Sequence, residues 1–294
     1  MKVFSPAKIN LYLKVLGKRV DGYHELRTIM APVSLFDEIT IEEAPSGIHL
    51  SAEGCDCREE DNLAYLAARS FLKHVPVASG VSIAVKKNIP VGAGLGGGSS
   101  DAAGVLRGMN ALFSVNLSRE DLLSMAESLG ADCPFFLHAQ PMLMGSRGDV
   151  ALQQIDLEER SFLIVIPPFG ISTARIFSLY KCPLTLDKDG ITIQNTVQGK
   201  IAPEIWLEND LEQVAFHLHP ELQELKDELL HCGALAAMMS GSGSAVFGVF
   251  RTHEELCNAM GRLNRHGGFR YVPATTVTGE QYGDYRGQSI SGQG

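Results

Sequence analysis

The sequence is short of positive charge, of cysteine, of tryptophan and of long apolar runs. Its 25 Lys and Arg are outnumbered by 34 Asp and Glu, for a formal net charge of −9. That balance makes a general nucleic-acid or membrane-surface binder a poor reading. No apolar stretch approaches the roughly 20 residues that span a bilayer. The opening "MKVFSPAKIN" has no signal-peptide apolar core, so a cytoplasmic protein with neither nucleic-acid nor membrane partners is expected. Of the 6 cysteines, Cys55 and Cys57 form a lone C-x-C without a second pair at zinc spacing, and free thiols are the expectation. His217 and His219 fall on different faces of a predicted helix, which argues against a metal site there.

What is present suits a globular protein. The 294 residues are 45% apolar and 20% charged, enough for one large domain or two ordinary ones. In "AKINLYLKVL", Ile9, Leu11, Leu13 and Val15 alternate with Lys8, Asn10, Tyr12 and Lys14, a strand pattern that sets Lys8 and Asn10 opposite the apolar set. Asp21-Gly22 marks a turn. Further strands are expected at "DEITIEE", "IHLSA" and "VSIAVKK", with helices capped by Asn62 and by Ser118, the latter with Asp121 in a capping box. The second half mixes the strands "FLIVIPP", "ALAAMM" and "AVFGVF" with several helices. The polar stretch "QQIDLEER" at 153–160 is the best linker candidate. Two α+β domains are therefore expected, 1–157 and 158–294, with a loose Gly-rich tail from about residue 280.

One segment needs its own explanation. "NIPVGAGLGGGSSDAAG" packs Gly92, Gly94, Gly96, Gly97 and Gly98 into seven positions and then runs through Ser99 and Ser100 into a helix expected from about Ser100 to Leu112. Such a cluster of glycines carries a large backbone entropy cost. Gly92, Gly94 and Gly97 satisfy G-x-G-x-x-G, but the acidic strand end expected about 20 residues later is missing. The common P-loop needs Lys-Ser/Thr after its last glycine, and no lysine is there. A cradle of backbone N–H groups opening on a helix N-terminus remains, suited to polyphosphate. Its residues are Pro90, Val91, Gly92, Ala93, Gly94, Leu95, Gly96, Gly97, Gly98, Ser99 and Ser100, and Gly97 is expected to use its freedom to take positive φ.

These residues resemble the phosphate motif of the GHMP small-molecule kinases (galactose, homoserine, mevalonate and phosphomevalonate kinases). "AKIN" at 7–10 is similar to their N-terminal motif and "MSGSGSAVFGVF" at 239–250 to their C-terminal glycine motif. "DGYHELRT", the triple glycine and "GADCPFF" point, within the family, to the branch that acts on a cytidine diphosphate-linked polyol. The resemblance implies a two-domain fold with the active site in the cleft between domains, and ATP-dependent phosphorylation of an alcohol. It implies Asp132 as catalytic base, Lys8 as its cationic partner and Asn10 near the substrate. It also sets Tyr23 and His24 against the cytosine, with Phe177 across the base; on residue type alone these read as ordinary packing and surface positions. Mg²⁺ is expected with the ATP. Its protein ligand stays open between Asp101 and Ser99, and the adenine contacts near Lys86–Asn88 and the helix after Asn62 stay unassigned. A homoserine- or mevalonate-type kinase and a non-catalytic nucleotide sensor are the alternatives, the last disfavoured by the presence of both Lys8 and Asp132.

Overall fold

A computed structural model describes residues 1–54, 57–138, 140–182, 200–263 and 267–277. Cys55 and the tail from about 280 lie outside the described residues. In chain order the strands are β1 (Lys2–Lys18), β2 (His24–Ala44), β3 (Ile48–Glu53), β4 (Gly80–Lys86), β5 (Met142–Gly145), β6 (Val150–Gln154), β7 (Ser161–Ile166), β8 (Glu208–Asn209), β9 (Ala236–Met239), β10 (Val246–Phe250) and β11 (Arg270–Thr275). The helices are α1 (Leu63–His74), α2 (Gly97–Leu112), α3 (Arg119–Leu129), α4 (Cys133–His138), α5 (Thr173–Leu179), α6 (Glu212–Leu218), α7 (Glu221–His231) and α8 (His253–Arg262).

Two sheets organise the molecule. The first runs β3-β4-β2-β1-β8, with β5 paired to β2 and β6 paired to β5; the second runs β11-β7-β10-β9. Helices α1, α2 and α3 cover the first sheet through a core that includes Phe71, Ile83, Val105 and Leu106. The second sheet is covered by α7 and α8 through Leu225, Leu229, Phe250 and Leu256. Between the sheets lies a shared core in which Ile9, Leu11 and Ile29 meet Phe162, Ile164 and Phe247. The capping expectations hold: Asn62 accepts from Ala64 N and Ser118 forms a reciprocal capping box with Asp121.

Four features differ from the sequence reading. The polar side of β1 does not face water: Ser5 to Leu13 are all buried, because Lys8 and Asn10 lie under the glycine loop at Gly96, Phe136 of α4 and Gly241, while Ile9 and Leu11 face the second sheet. β2 is a single strand of 21 residues that takes in both "HELRT" and "DEITIEE". The short β8 returns from the second half to pair in parallel with β1 at Tyr12 and Leu13, satisfying backbone groups that an open edge would leave unpaired. The stretch expected as linker begins inside β6, and the division after residue 157 falls between β6 and β7.

Candidate active site

The register of β1 against β2 shifts at Pro6/Ala7 and again at Asn10/Tyr12. Such irregularities re-aim side chains and gather beside functional sites. Between them stand Lys8 and Asn10, 4% and 2% exposed. Lys8 Nζ donates to Asn10 Oδ1 at 2.5 Å and lies 3.8 Å from Asp132 Oδ2. The orientation of the Asn10 amide follows from its neighbours. The Thr28 hydroxyl donates to Tyr12 O at 2.7 Å, so it must accept from Asn10 Nδ2, also at 2.7 Å, which turns Oδ1 to the lysine. Burial holds the Lys8 ammonium below the ordinary lysine value, with Asp132 opposing the shift. Asp132 sits just before α4, and its side chain keeps one third of its surface open. The result is a buried cation beside a carboxylate that solvent or substrate can reach.

The glycine loop comes against this pair. Gly92, Gly94 and Gly96 take φ of 72°, 75° and 71°, the left-handed region that favours glycine. Gly97 does not: it is the first residue of α2, which begins three residues earlier than expected. A Cβ on Gly97 would lie 2.9 Å from Ile89 Cγ2, so close packing rather than φ is what requires glycine there. Ala93 and Leu95 point into the inter-sheet core; burying a leucine stabilises by about 1.5–3 kcal/mol. The carbonyls of the loop are bonded away from the cleft. Ile171 N donates to Gly92 O (3.0 Å), Ala245 N to Ala93 O (3.1 Å), Ser240 Oγ to Gly94 O (3.0 Å) and Lys8 N to Leu95 O (2.9 Å). The loop is thus clamped by "SGSGS" of the second sheet and by β1. Ser99 lines the cleft, but Ser100 does not. Its N–H is already bonded to Gly96 O at 2.9 Å and its side chain is fully buried, so the expectation that Ser100 holds phosphate is corrected.

At the base of the loop is a charge cluster that sequence reasoning did not anticipate. Lys87 Nζ donates to Asp37 and, at 2.7 Å, to Asp101 Oδ2. Burial alone would pull Lys87 down, but Asp101 and Asp37 outweigh it and hold the ammonium above its usual value. Burial pushes the Asp101 carboxyl up further than Lys87 draws it back. Only Oδ2 of Asp101 is given to Lys87; the buried Oδ1 has no hydrogen-bond partner among the described residues, so Asp101 and Ser99, both in the cleft, stay open as metal ligands. Among the described residues no group of three or more His, Cys, Asp or Glu could hold a metal ion.

Lys8, Asn10, Asp132, the loop from Pro90 to Ser99, Lys87 and Asp101 line one cleft of about 1000 Å³. Tyr23, His24 and Phe177 line it too, but their arrangement differs from the expectation. Phe177 does not stand across a gap from the other two; it stacks directly on His24, centroids 5.1 Å apart at 27°, a contact distance for two rings with nothing between them. Tyr23, more than half exposed, lies under the Arg147 guanidinium at 4.9 Å. Arg147 comes from the β5–β6 turn and is fixed by Asp149, whose Oδ2 accepts from Nε and Nη2 at 2.9 and 2.7 Å. Nothing in the sequence pattern singled out Arg147. Burial and then Lys18 hold His24 below the ordinary imidazole value, so at neutral pH its ring has one donor and one acceptor.

Residues 62–140 match the model of the GHMP kinases N-terminal domain, and residues 196–268 that of the GHMP kinases C-terminal domain. A 4-diphosphocytidyl-2-C-methyl-D-erythritol kinase of Syntrophus aciditrophicus is 41% identical over 271 residues, spanning 91% of this chain and 96% of that protein. The chain belongs to the GHMP kinase family. A kinase of the same name from Geobacter metallireducens is 42% identical over 255 residues, 85% of this chain and 89% of that one. The crystal structure of a 4-(cytidine 5'-diphospho)-2C-methyl-D-erythritol kinase superposes with a TM-score of 0.78 at 36% identity, covering 95% of this chain and all of that one. The fold extends further: a homoserine kinase from Cytophaga hutchinsonii has a TM-score of 0.71 at 16% identity, over 95% of this chain and 94% of that one. The mixed α+β architecture, matched by an N-terminal and a C-terminal family domain, is the GHMP kinase one, and residues from both halves line the cleft.

Proposed function

We propose that this GHMP kinase transfers the γ-phosphoryl group of ATP to the 2-hydroxyl of 4-diphosphocytidyl-2-C-methyl-D-erythritol, a step of non-mevalonate isoprenoid precursor synthesis, in the cytoplasm. The observation that carries the reading is the meeting of Lys8, Asn10 and Asp132 with the glycine loop in one cleft, in a chain about 40% identical over most of its length to kinases of that name. We take 1–157 and 158–294 as the domains that flank the cleft.

Phosphoryl transfer to an alcohol is chiefly positioning and charge neutralisation. Asp132 is placed to take the proton of the attacking hydroxyl. Lys8, 3.8 Å away, sets its positive charge beside that carboxylate and is itself oriented by Asn10. The N–H edge of residues 92–99, whose carbonyls face elsewhere, and the start of α2 receive the phosphates. Mg²⁺ fits as an ion carried in by the nucleotide, since the cleft offers the Ser99 hydroxyl and Asp101 and, among the described residues, no group of three or more His, Cys, Asp or Glu that would hold a metal by itself. It would supply charge neutralisation on the transferring group. Tyr23, His24 and Phe177 form the cytosine end: the base parts the His24–Phe177 stack or lies on the exposed Tyr23 face, and neutral His24 reads its edge. The test is incubation with Mg-ATP and a panel of acceptors, followed by mass measurement. Phosphate on the cytidyl-linked polyol, and not on mevalonate or homoserine, is the expected result; transfer to either of those or to none refutes the proposal.

A further inference from the structure

The cluster at the loop base has a geometry that burial alone does not explain. Asp37, on β2, is fully buried and does not line the cleft. Its Oδ1 accepts from Asn88 N at 2.5 Å and Ile89 N at 2.8 Å, the two residues at the entry to the glycine loop. Its other oxygen accepts from Lys87. Lys87 then crosses to Asp101, which lies on α2 just beyond the loop's exit. Asn88 is tied further, through Nδ2 to Phe36 O at 2.9 Å and through its own carbonyl to Arg270 Nη1 at 2.5 Å. Ile89 packs on Gly97 so closely that a Cβ there would sit 2.9 Å from its methyl. The entry and the exit of the loop are thus joined to each other and to one strand. The side chains of Lys87, Asp37 and Asp101 are 8%, 0% and 5% exposed. One ammonium between two carboxylates at that depth is a poor source of stability, because desolvation consumes most of the attraction. What the cluster does supply is fixed geometry.

We propose that Asp37 is a positioning residue for the donor nucleotide, holding the phosphate loop in its binding shape through Lys87, Asp101 and the loop-entry amides before any ligand arrives. This rests on the reading of the loop as the ATP cradle. An anion site made of backbone N–H groups works only if those groups converge without the anion present; otherwise binding must order the loop and loses affinity accordingly. Asp37→Asn keeps the shape but weakens three charge-assisted bonds, and Asp101→Asn loosens the exit while leaving the entry amides in place.

The test is hydrogen exchange of residues 92–99 in the nucleotide-free protein, together with calorimetric binding of a non-hydrolysable ATP analogue with Mg²⁺. In Asp37→Asn the loop amides should exchange at least about tenfold faster, and the dissociation constant for the analogue should rise about 10–100-fold, from bonds to charged groups worth about 1.5–3 kcal/mol each. KM for the cytidyl acceptor should stay within about twofold, a split that general destabilisation would not give. Asp101→Asn should move both donor readouts in the same direction by less. Unchanged loop exchange and affinity in the folded variants overturns the proposal, and so does equal acceleration across the whole first sheet. If Asp37→Asn does not fold, Asp101→Asn decides; if neither folds, the cluster holds the fold rather than the loop and the proposal fails. A parent that does not bind the analogue, with variants that still lose loop protection, supports the clamp and removes the donor reading instead.

Discussion

Gly94→Ala isolates what the glycine loop does for the join between the two sheets. A Cβ at this position would lie 2.1 Å from Ser240 O and 3.0 Å from Gly243 O, both backbone atoms of the opposing glycine loop and unable to turn aside. The native φ of 75° adds about 1–2 kcal/mol for any residue with a Cβ. Relief of the clash requires the two loops to separate by more than 1 Å, on the order of a bond length. That separation breaks the Ser240–Gly94 bond at 3.0 Å and the Ala245–Ala93 bond at 3.1 Å, each worth about 0.5–1.5 kcal/mol net. The sum is about 2–5 kcal/mol. A central value of about 3 kcal/mol lowers the melting temperature by roughly 5 °C for a chain of 294 residues. Gly98→Ala is the control. Its nearest neighbour is Leu63 Cδ1 at 3.5 Å, an ordinary contact, and its helical position favours alanine by about 0.5–1 kcal/mol. Thermal melts and urea titrations without nucleotide should show a large loss in the first variant and none in the second. A Gly94→Ala protein within about 1 kcal/mol of the parent, or two variants equally destabilised, refutes the reasoning.

Asp132→Asn should lower kcat by about 10²–10⁴ with KM values changed only a few-fold, and steady-state kinetics of the Asp132→Asn and Lys8→Met single and double variants should show losses that do not add. Tyr23→Ala should raise KM for the cytidyl acceptor about 5–100-fold, the equivalent of a stacking contact of ~1–3 kcal/mol, while KM for ATP moves less than about threefold; an equal rise in both places the cytosine elsewhere. Burial pushes the Cys133 thiol up to about 12, whereas Cys57 and Cys257 are exposed. Iodoacetamide at pH 8 should therefore label those two well before Cys133, as peptide mass mapping would record.

The parts of the site that could be read from sequence are those whose chemistry is local. A run of glycines beside a helix start marks a loop of unusual backbone within a dozen residues, three of which take positive φ, and the alternation around Lys8 and Asn10 states that these two share a face. The sequence could not say that this face is buried. Alternation reports which residues are on the same side, while burial of this one depends on Gly96, Phe136 and Gly241, which follow about 90 to 230 residues later. Arg147 and the Lys87–Asp37–Asp101 cluster were illegible for the same reason. Asp37 and Asp101 are 64 residues apart in number, and each alone looks like a strand or helix carboxylate. Gly97 was misread because five glycines in a row of positions look alike in sequence, yet three serve φ and this one serves packing against Ile89. Ser100 was misread because a serine at a helix start has two uses, and the earlier start of α2 had already spent its N–H on the helix.

The two glycine loops, one from each half, make a stronger argument together than either does alone. Gly94 and Gly241 face each other so closely that a Cβ on Gly241 would meet Lys8 Nζ and Asn10 Oδ1 at 3.2 Å and Gly94 O at 3.3 Å. Asn209, from the short strand β8, donates through Nδ2 to Met239 O at 2.9 Å and Gly241 O at 2.8 Å, so β8 ties the second loop to the edge of the first sheet. Side chains larger than hydrogen at this crossing would hold the halves apart, and the 3.8 Å approach of Lys8 to Asp132 would lose its support from behind. The absence of side chains at 94 and 241 thus sets how deeply Lys8 is buried. Burial in turn holds its ammonium below the ordinary value, while Asp132 beside it keeps one third of its side-chain surface open. The glycines that seemed excessive for a turn are, by this account, what allows two domains to close on one lysine.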